Sequence, residues 1–568
     1  MSLSVFPHRL ALALGFALAA PLTSAPAQAA APTGTPEQRA AALVAQMSRE
    51  EKVAQAMNAA PAIPRLGIPA YEWWSEGLHG IARNGYATVF PQAIGLAASW
   101  NTQLMQQVGT VVSTEARAKF NQAGGPGKDH KRYAGLTIWS PNINIFRDPR
   151  WGRGMETYGE DPFLTGQLAV GFIRGLQGDD LEHPRTIATP KHIAVHSGPE
   201  PGRHGFDVDV SPRDVEATYT PAFRAALVEG QAGSVMCAYN SLHGTPACAA
   251  DWLLNGRVRG DWGFKGFVVS DCDAVDDMTQ FHYFRPDNAG SSAASLKAGH
   301  DLNCGTAYRA LGTAIERGEV DEALLDQSLV RLFAARYRLG ELQAPRKDRY
   351  ARLGAKDIDN AGNRALALQA AAESIVLLKN ANATLPLKAG TRLAVIGPNA
   401  DALAALEANY QGTSSQPVTP LLGLRQRFGA QQVRYAQGAP LAAGVPGMIP
   451  ETALRSDGKP GLRGEYFDNV ELEGAPRVTR QDRAISFNWD QVSPAKGVPA
   501  DRYAVRWSGE LLPPGTGDYT LAVRVARCFD CTGHDPVRLY IDDKLVVAGN
   551  AEDLSLIHIS EPTRPERI

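Results

Sequence analysis

Gly266-Phe267-Val268-Val269-Ser270-Asp271-Cys272-Asp273 is a short apolar run that breaks off into polar and charged side chains. The same change of character recurs upstream. Leu136-Thr137-Ile138-Trp139 leads into Asn142, Asn144 and Arg147, and Thr186-Ile187-Ala188 leads into Lys191-His192. Gly233-Ser234-Val235-Met236 leads into Tyr239-Asn240. Between these runs lie amphipathic segments such as Asp214 to Glu229 and Glu322 to Tyr337, so the pattern predicts repeated β-α units around a parallel sheet. An open doubly wound sheet gathers polar groups only at its switch point, whereas a closed barrel gathers them at the carboxyl ends of successive strands. Four such strand ends favour an α/β fold with an N-terminal (β/α) TIM-like barrel over residues 35–340.

Upstream of the barrel pattern, Thr35-Pro36-Glu37-Gln38 and Ser48-Arg49-Glu50-Glu51 carry capping-box spacing and predict two opening helices. Downstream, a charged stretch from Ala344 to Lys356 reads as part of a linker over 341–370. Ser374 to Lys379 and Arg392 to Pro398 then read as two buried strands opening an α/β sandwich domain over 371–445, which stays incomplete. From about residue 460 to 553 the pattern turns all-β, with strands expected at Gly464–Phe467, Ala504–Trp507, Tyr519–Val523 and Arg538–Ile541. This is an inserted, incomplete β-sandwich module. Residues 554–568, beginning Leu554-Ser555-Leu556-Ile557-His558-Ile559, match the translation of a sequencing-library adapter and are expected not to belong to the natural protein.

The formal net charge of the 568 residues is −2 with both signs interspersed, so no basic field exists to hold a nucleic acid. Residues 1–29 read as a secretory signal: Arg9, an apolar run from Leu10 to Ala20, then Ala27-Gln28-Ala29. That run is far short of the ~20 residues a bilayer span needs, so an exported protein without a membrane span is expected, periplasmic or extracellular. Six cysteines suit an oxidising compartment and read as up to three disulfides, Cys528 and Cys531 forming a close pair. His192 and His196 stand four apart with no carboxylate at zincin spacing, so no metal site is expected there. Glu160-Asp161-Pro162 reads as a helix start.

A carboxylate at a strand end, as at Asp271, suits a nucleophile beneath an oxocarbenium-like transition state, although alone such a residue is more often a helix cap or loop anchor. With Tyr71-Glu72-Trp73-Trp74-Ser75-Glu76-Gly77-Leu78-His79-Gly80, Asp148-Pro149-Arg150-Trp151-Gly152-Arg153, Gly159-Glu160-Asp161-Pro162 and Pro190-Lys191-His192 in order, the chain resembles glycoside hydrolase family 3 from about Thr35 to Gly438. The resemblance implies a retaining double displacement on an oligosaccharide, with no metal and no other cofactor. It implies Asp271 as nucleophile, Arg153, Lys191 and His192 as partners of the terminal sugar's hydroxyls, and Tyr239 as a ring beside the nucleophile. Glu76 stands where glucosidases of the family usually carry Asp, and Cys272 where they usually carry Trp. That combination is similar to the β-xylosidase branch and implies release of terminal β-D-xylose from xylo-oligosaccharides, with β-glucosidase and α-L-arabinofuranosidase open as alternatives. The inserted module resembles the protective-antigen-like module of some members, which binds sugar, shapes the substrate entrance or acts as a spacer.

Retention also needs an acid/base carboxyl about 5–5.5 Å from the nucleophile. The family draws it from the second domain beyond the inserted module, and it stays unassigned here; Asp273 is too close along the chain to reach the leaving oxygen. A reading from another class is a non-catalytic sugar-binding protein whose carboxylates merely hold hydroxyls. Resequencing the encoding locus is expected to show no codons for the peptide from Leu554 onward; finding it in the genome would make that segment native.

Overall fold

The computed structural model describes residues 34–549 except 199, 343–347, 411, 442–446, 488, 490–491, 514, 524 and 526–535. The expected signal at 1–29, the Cys528/Cys531 pair and the segment 554–568 lie outside the described residues. The two opening helices, Pro36–Val44 and Arg49–Gln55, form as their caps predict. Thr35 and Gln38, and then Ser48 and Glu51, exchange side-chain and backbone hydrogen bonds in complete capping boxes. Asp161 caps the helix Pro162–Gln177, its Oδ1 accepting from the Leu164 amide at 2.6 Å, with Pro162 at the first helical position.

Short parallel strands carry the predicted runs. Phe267–Ser270 pairs with Ser234–Cys237, which pairs in turn with Lys191–Ile193, while Thr137–Ile138 pairs with Ile187–Ala188. Single parallel bridges extend this set, from Ser75 to Ile138, Asn142 to Lys191, Val269 to Leu302 and Met57 to Asn303. Ala59–Ala60 meets Tyr71–Glu72 antiparallel, so the pairings run in a circuit from Met57 round to Asn303 and back. The interior strand residues are fully buried, as strands covered on both faces require.

The helices Thr102–Gln122 and Pro162–Gln177 pack against each other through glycines. A Cβ on Gly109 would fall 2.4 Å from the Phe172 carbonyl oxygen, and one on Gly175 would fall 2.2 Å from that of Gln106. Backbone cannot yield as a flexible side chain can, so only glycine allows this approach. The amphipathic segment Asp214 to Glu229 is helical but not one regular α-helix. It alternates α turns at Pro212–Asp214 and Pro221–Arg224 with wider π turns at Val215–Tyr219 and Ala225–Glu229. Pro221 has no amide hydrogen to donate, and the ladder loosens around it.

Three further expectations need correction. The linker at 341–370 contains the start of a helix, Ala361–Glu373, anchored on the buried Glu115. Glu115 Oε1 accepts from the Asp359 amide at 2.8 Å, Asn363 Nδ2 at 2.9 Å and Thr88 Oγ1 at 2.6 Å. Ser374 to Lys379 forms no strand, and Ile375 to Leu378 are 57–91 % exposed, because no described strand offers them a ladder. Tyr519–Val523 is likewise not a strand. The second unit keeps a parallel pair, Leu393–Ile396 with Val433–Ala436. In the inserted module Leu462–Phe467 lies between Val478–Asp482 and Ala504–Ser508, and Val537–Ile541 forms a hairpin with Lys544–Gly549.

Gly109→Ala and Gly175→Ala should each lower stability by about 1–3 kcal/mol through overpacking. Gly312→Ala, in a helix where an added Cβ meets nothing within 4 Å, should be neutral or stabilising. Urea unfolding of the three variants checks this.

Candidate active site

The carboxyl ends of the parallel strands converge on Asp271, which follows Phe267–Ser270 and is only 8 % exposed. The Asp271 amide donates to the Cys237 carbonyl at 3.1 Å, tying the residue to the neighbouring strand. Its Oδ1 accepts from the Cys272 amide at 2.9 Å. Its Oδ2 lies 3.2 Å from His192 Nε2 and 3.6 Å from Arg153 Nη1. Tyr239, at the end of the adjacent strand, is buried, and burial together with the Asp271 carboxylate holds its phenol well above the usual range.

Two buried ion pairs surround this carboxylate. Lys191 Nζ meets Glu76 Oε1 at 2.7 Å, and Trp74 Nε1 donates to the same oxygen at 3.1 Å. Burial raises the Glu76 carboxyl, and Lys191 opposes that shift. Arg153 grips Glu156 in a fork, Nε to Oε1 at 3.0 Å and Nη2 to Oε2 at 2.7 Å. Burial alone would raise Glu156; the charge and hydrogen bonds of Arg153 outweigh it, and its pKa falls to about 2. The fork fixes the guanidinium so that Nη1 is the corner turned to Asp271.

His192 is oriented by Asn144. The Asn144 Nδ2 donates to the His192 carbonyl at 2.8 Å, and its Oδ1 accepts from the His192 amide at 2.9 Å. Oδ1 also lies 2.8 Å from His192 Nδ1, which must therefore donate. Burial, then the charges of Arg153, His196, Lys191 and Arg203, push the imidazole pKa well below normal and keep it neutral. Nε2 is left as an acceptor facing Asp271 Oδ2, without a hydrogen-bond partner among the described residues. Two acceptors side by side in a buried pocket call for a ligand that brings O–H donors.

The structure thus gathers Asp271, Glu76, Arg153, Lys191, His192 and Tyr239. Cys272 is half-buried beside them and forms a disulfide with Cys304; a second disulfide joins Cys237 and Cys248. Asp273 is exposed, its carboxyl raised by partial desolvation and by Asp276 and Asp277, with a backbone φ of 68°. His196 packs with its ring 5.0 Å from that of His192 and is driven to a pKa of about 3 by burial. Among the described residues no three His, Cys, Asp or Glu side chains converge as a metal site would need, and no helix is long and apolar enough to cross a membrane.

Sequence reasoning missed three participants. Glu156 was legible only as the acid three positions after Arg153. Asn409 and Tyr410 come from the second unit, far along the chain. Asn409 Nδ2 donates to Glu156 Oε1 at 2.9 Å, and the Tyr410 ring lies 4.5 Å from Lys191 Nζ.

The depressed pKa of Glu156 makes its contribution to stability fully present above the ordinary value of 4.5 and lost as pH falls toward about 2. On the order of 3 kcal/mol is at stake across that window. Glu156→Gln should flatten the acid limb of the stability profile between those pH values, as measured by denaturant unfolding at a series of pH values.

Residues 39–335 match the family profile described as glycosyl hydrolase family 3 N terminal domain, and residues 458–554 match that of the PA14 domain. A xylan 1,4-beta-xylosidase of Xylanibacter ruminicola is 36% identical over 546 residues, covering 94% of this chain and 62% of that protein. Beta-xylosidase/alpha-L-arabinofuranosidase 2 of Medicago sativa subsp. varia is 42% identical over 402 residues, 67% of this chain and 51% of that one. Among solved structures, a GH3 exo-beta-xylosidase, XlnD, bound to a xylobiose aziridine probe superposes with a TM-score of 0.67 at 36% identity. That match covers 72% of this chain and 54% of XlnD. A β-glucosidase from Erythrobacter marinus superposes with a TM-score of 0.63 at 29% identity, covering 72% of this chain and 60% of that one. The chain therefore spans between half and two thirds of the length of these relatives. With the profile extending over more than half of its residues, the chain belongs to glycosyl hydrolase family 3.

Proposed function

We propose that the protein is an exported, retaining, exo-acting glycoside hydrolase that releases terminal β-D-xylose from xylo-oligosaccharides. The observation that carries this reading is the buried Asp271 carboxylate at a strand end, its Oδ1 accepting from the Cys272 amide and its Oδ2 left open 3.6 Å from Arg153 Nη1 and 3.2 Å from His192 Nε2. In this reading the circuit of parallel strands is a (β/α) barrel, the unit after it is part of an α/β sandwich, and the PA14 module is inserted into that sandwich. Similarity to enzymes described as xylosidases supports the substrate class.

Asp271 Oδ2 attacks the anomeric carbon as the bond to the leaving oxygen breaks, giving a glycosyl-enzyme that water then hydrolyses. Arg153 and Lys191 donate to sugar hydroxyls, and His192 Nε2 accepts from one. Such contacts, strongest as positive charge develops on the sugar, favour the transition state over the bound substrate. Glu76, held by Lys191 and Trp74, fills the space a hexose hydroxymethyl group would take, and the Cys272–Cys304 link walls the pocket beside the nucleophile. Asp273, turned toward its acidic neighbours, is not assigned the acid/base role.

A 2-deoxy-2-fluoro-xyloside with a dinitrophenolate leaving group needs no acid to depart. Incubation followed by peptide mapping should find the sugar on Asp271, and Asp271→Asn should take no label. A folded parent chain that binds xylose yet takes no label would favour a sugar-binding protein instead. In the complete enzyme the nitrophenyl xyloside should be cleaved more efficiently than the glucoside. Glu76→Asp should shift that ratio toward glucoside by about tenfold, the worth of roughly one methylene.

A further inference from the structure

The helix that follows the nucleophile, Ala274–Gln280, builds a second feature beside the pocket. Its Asp277 Oδ2 lies 2.7 Å from Nδ1 of His204, a residue of the loop after Lys191–Ile193. The ring of His204 stands 4.6 Å from that of Tyr239, the ring beside Asp271, and 5.8 Å from Phe281. Phe281 directly follows the same helix and is 51 % exposed; the His204 side chain is 43 % exposed. Tyr239, His204 and Phe281 therefore step outward from the buried carboxylate to solvent.

This outer step is held in place. His282 donates from Nε2 to the Tyr239 carbonyl at 2.8 Å, and its Nδ1 accepts from Ser241 Oγ at 2.9 Å, which locks the segment carrying Phe281 onto the end of the Tyr239 strand. The His204 loop lies against it at Gly205, where a Cβ would be in ordinary van der Waals contact with Phe281 Cβ at 3.4 Å. Asp277 takes the Nδ1 proton of His204 and leaves Nε2 for a ligand, with no hydrogen bond to it among the described residues.

The geometry points to His204 and Phe281 as the binding site for the leaving-group sugar, the second pyranose of a β-linked disaccharide whose first ring lies over Asp271. The apolar face of a pyranose stacks on an exposed aromatic ring, and its ring hydroxyls pair with a fixed imidazole. In this arrangement they meet the second ring and set how well a glycan, as opposed to a small aglycone, occupies the site. This rests on the sugar-pocket reading given above.

Calorimetric titration of the parent chain with xylose and with xylobiose tests it. Xylobiose should bind about tenfold more tightly than xylose. In Phe281→Ala and His204→Ala that advantage should fall at least about threefold, and Phe281→Trp should preserve it. An unchanged xylobiose-to-xylose ratio in both alanine variants overturns the inference. So does a parent chain that binds xylose with no gain for xylobiose, and in that case the functional reading stands. A folded parent chain that binds neither sugar overturns the functional reading and this inference together.

Discussion

Packing several full charges into a space that water barely reaches is the constraint on which the rest of the structure depends. Arg153, Glu156, Lys191, Glu76 and Asp271 are all buried at the carboxyl ends of the strands. An unpaired charge there costs several kcal/mol. The cost is offset by matching each cation to a carboxylate with directed hydrogen bonds, Arg153 to Glu156 and Lys191 to Glu76. Asp271 alone in the set has no cation of its own, since Arg153, 3.6 Å away, is committed to Glu156. That asymmetry separates a structural carboxylate from one whose lone pairs are available to chemistry.

The scaffold serves this arrangement by holding strand ends close. Two helices touch through glycine backbone, the Asp271 amide is bonded to the next strand, and Asn144 fixes the orientation of His192. None of these groups performs chemistry. Each removes freedom from one that would, and preorganisation of that kind lets modest hydrogen bonds discriminate a transition state from a bound sugar.

Much of the site was legible in the sequence because strand ends announce themselves: a short apolar run followed by Lys191-His192, Tyr239-Asn240 or Ser270-Asp271 needs only local pattern to be seen. The capping boxes at Thr35 and Ser48 were legible for the same reason. What escaped depends on contacts made far apart in the chain. Asn409 and Tyr410 lie in a loop with no periodicity and enter the site only because the second unit lies over the strand ends. The stretch Ser374 to Lys379 misled in the opposite sense, since an apolar run predicts burial only where a neighbouring strand exists to pair with it.

The link between Cys272 and Cys304 has a consequence for how the pocket comes into being. It joins the residue after Asp271 to the next strand end, and the Cys304 carbonyl accepts from the Asp273 amide at 2.8 Å. Cys272 also supplies the amide that holds Asp271 Oδ1. One wall of the pocket is therefore closed by an electron transfer to an outside oxidant rather than by folding alone. The compartment in which the chain matures becomes part of the specification of its pocket, as much as the side chains that line it.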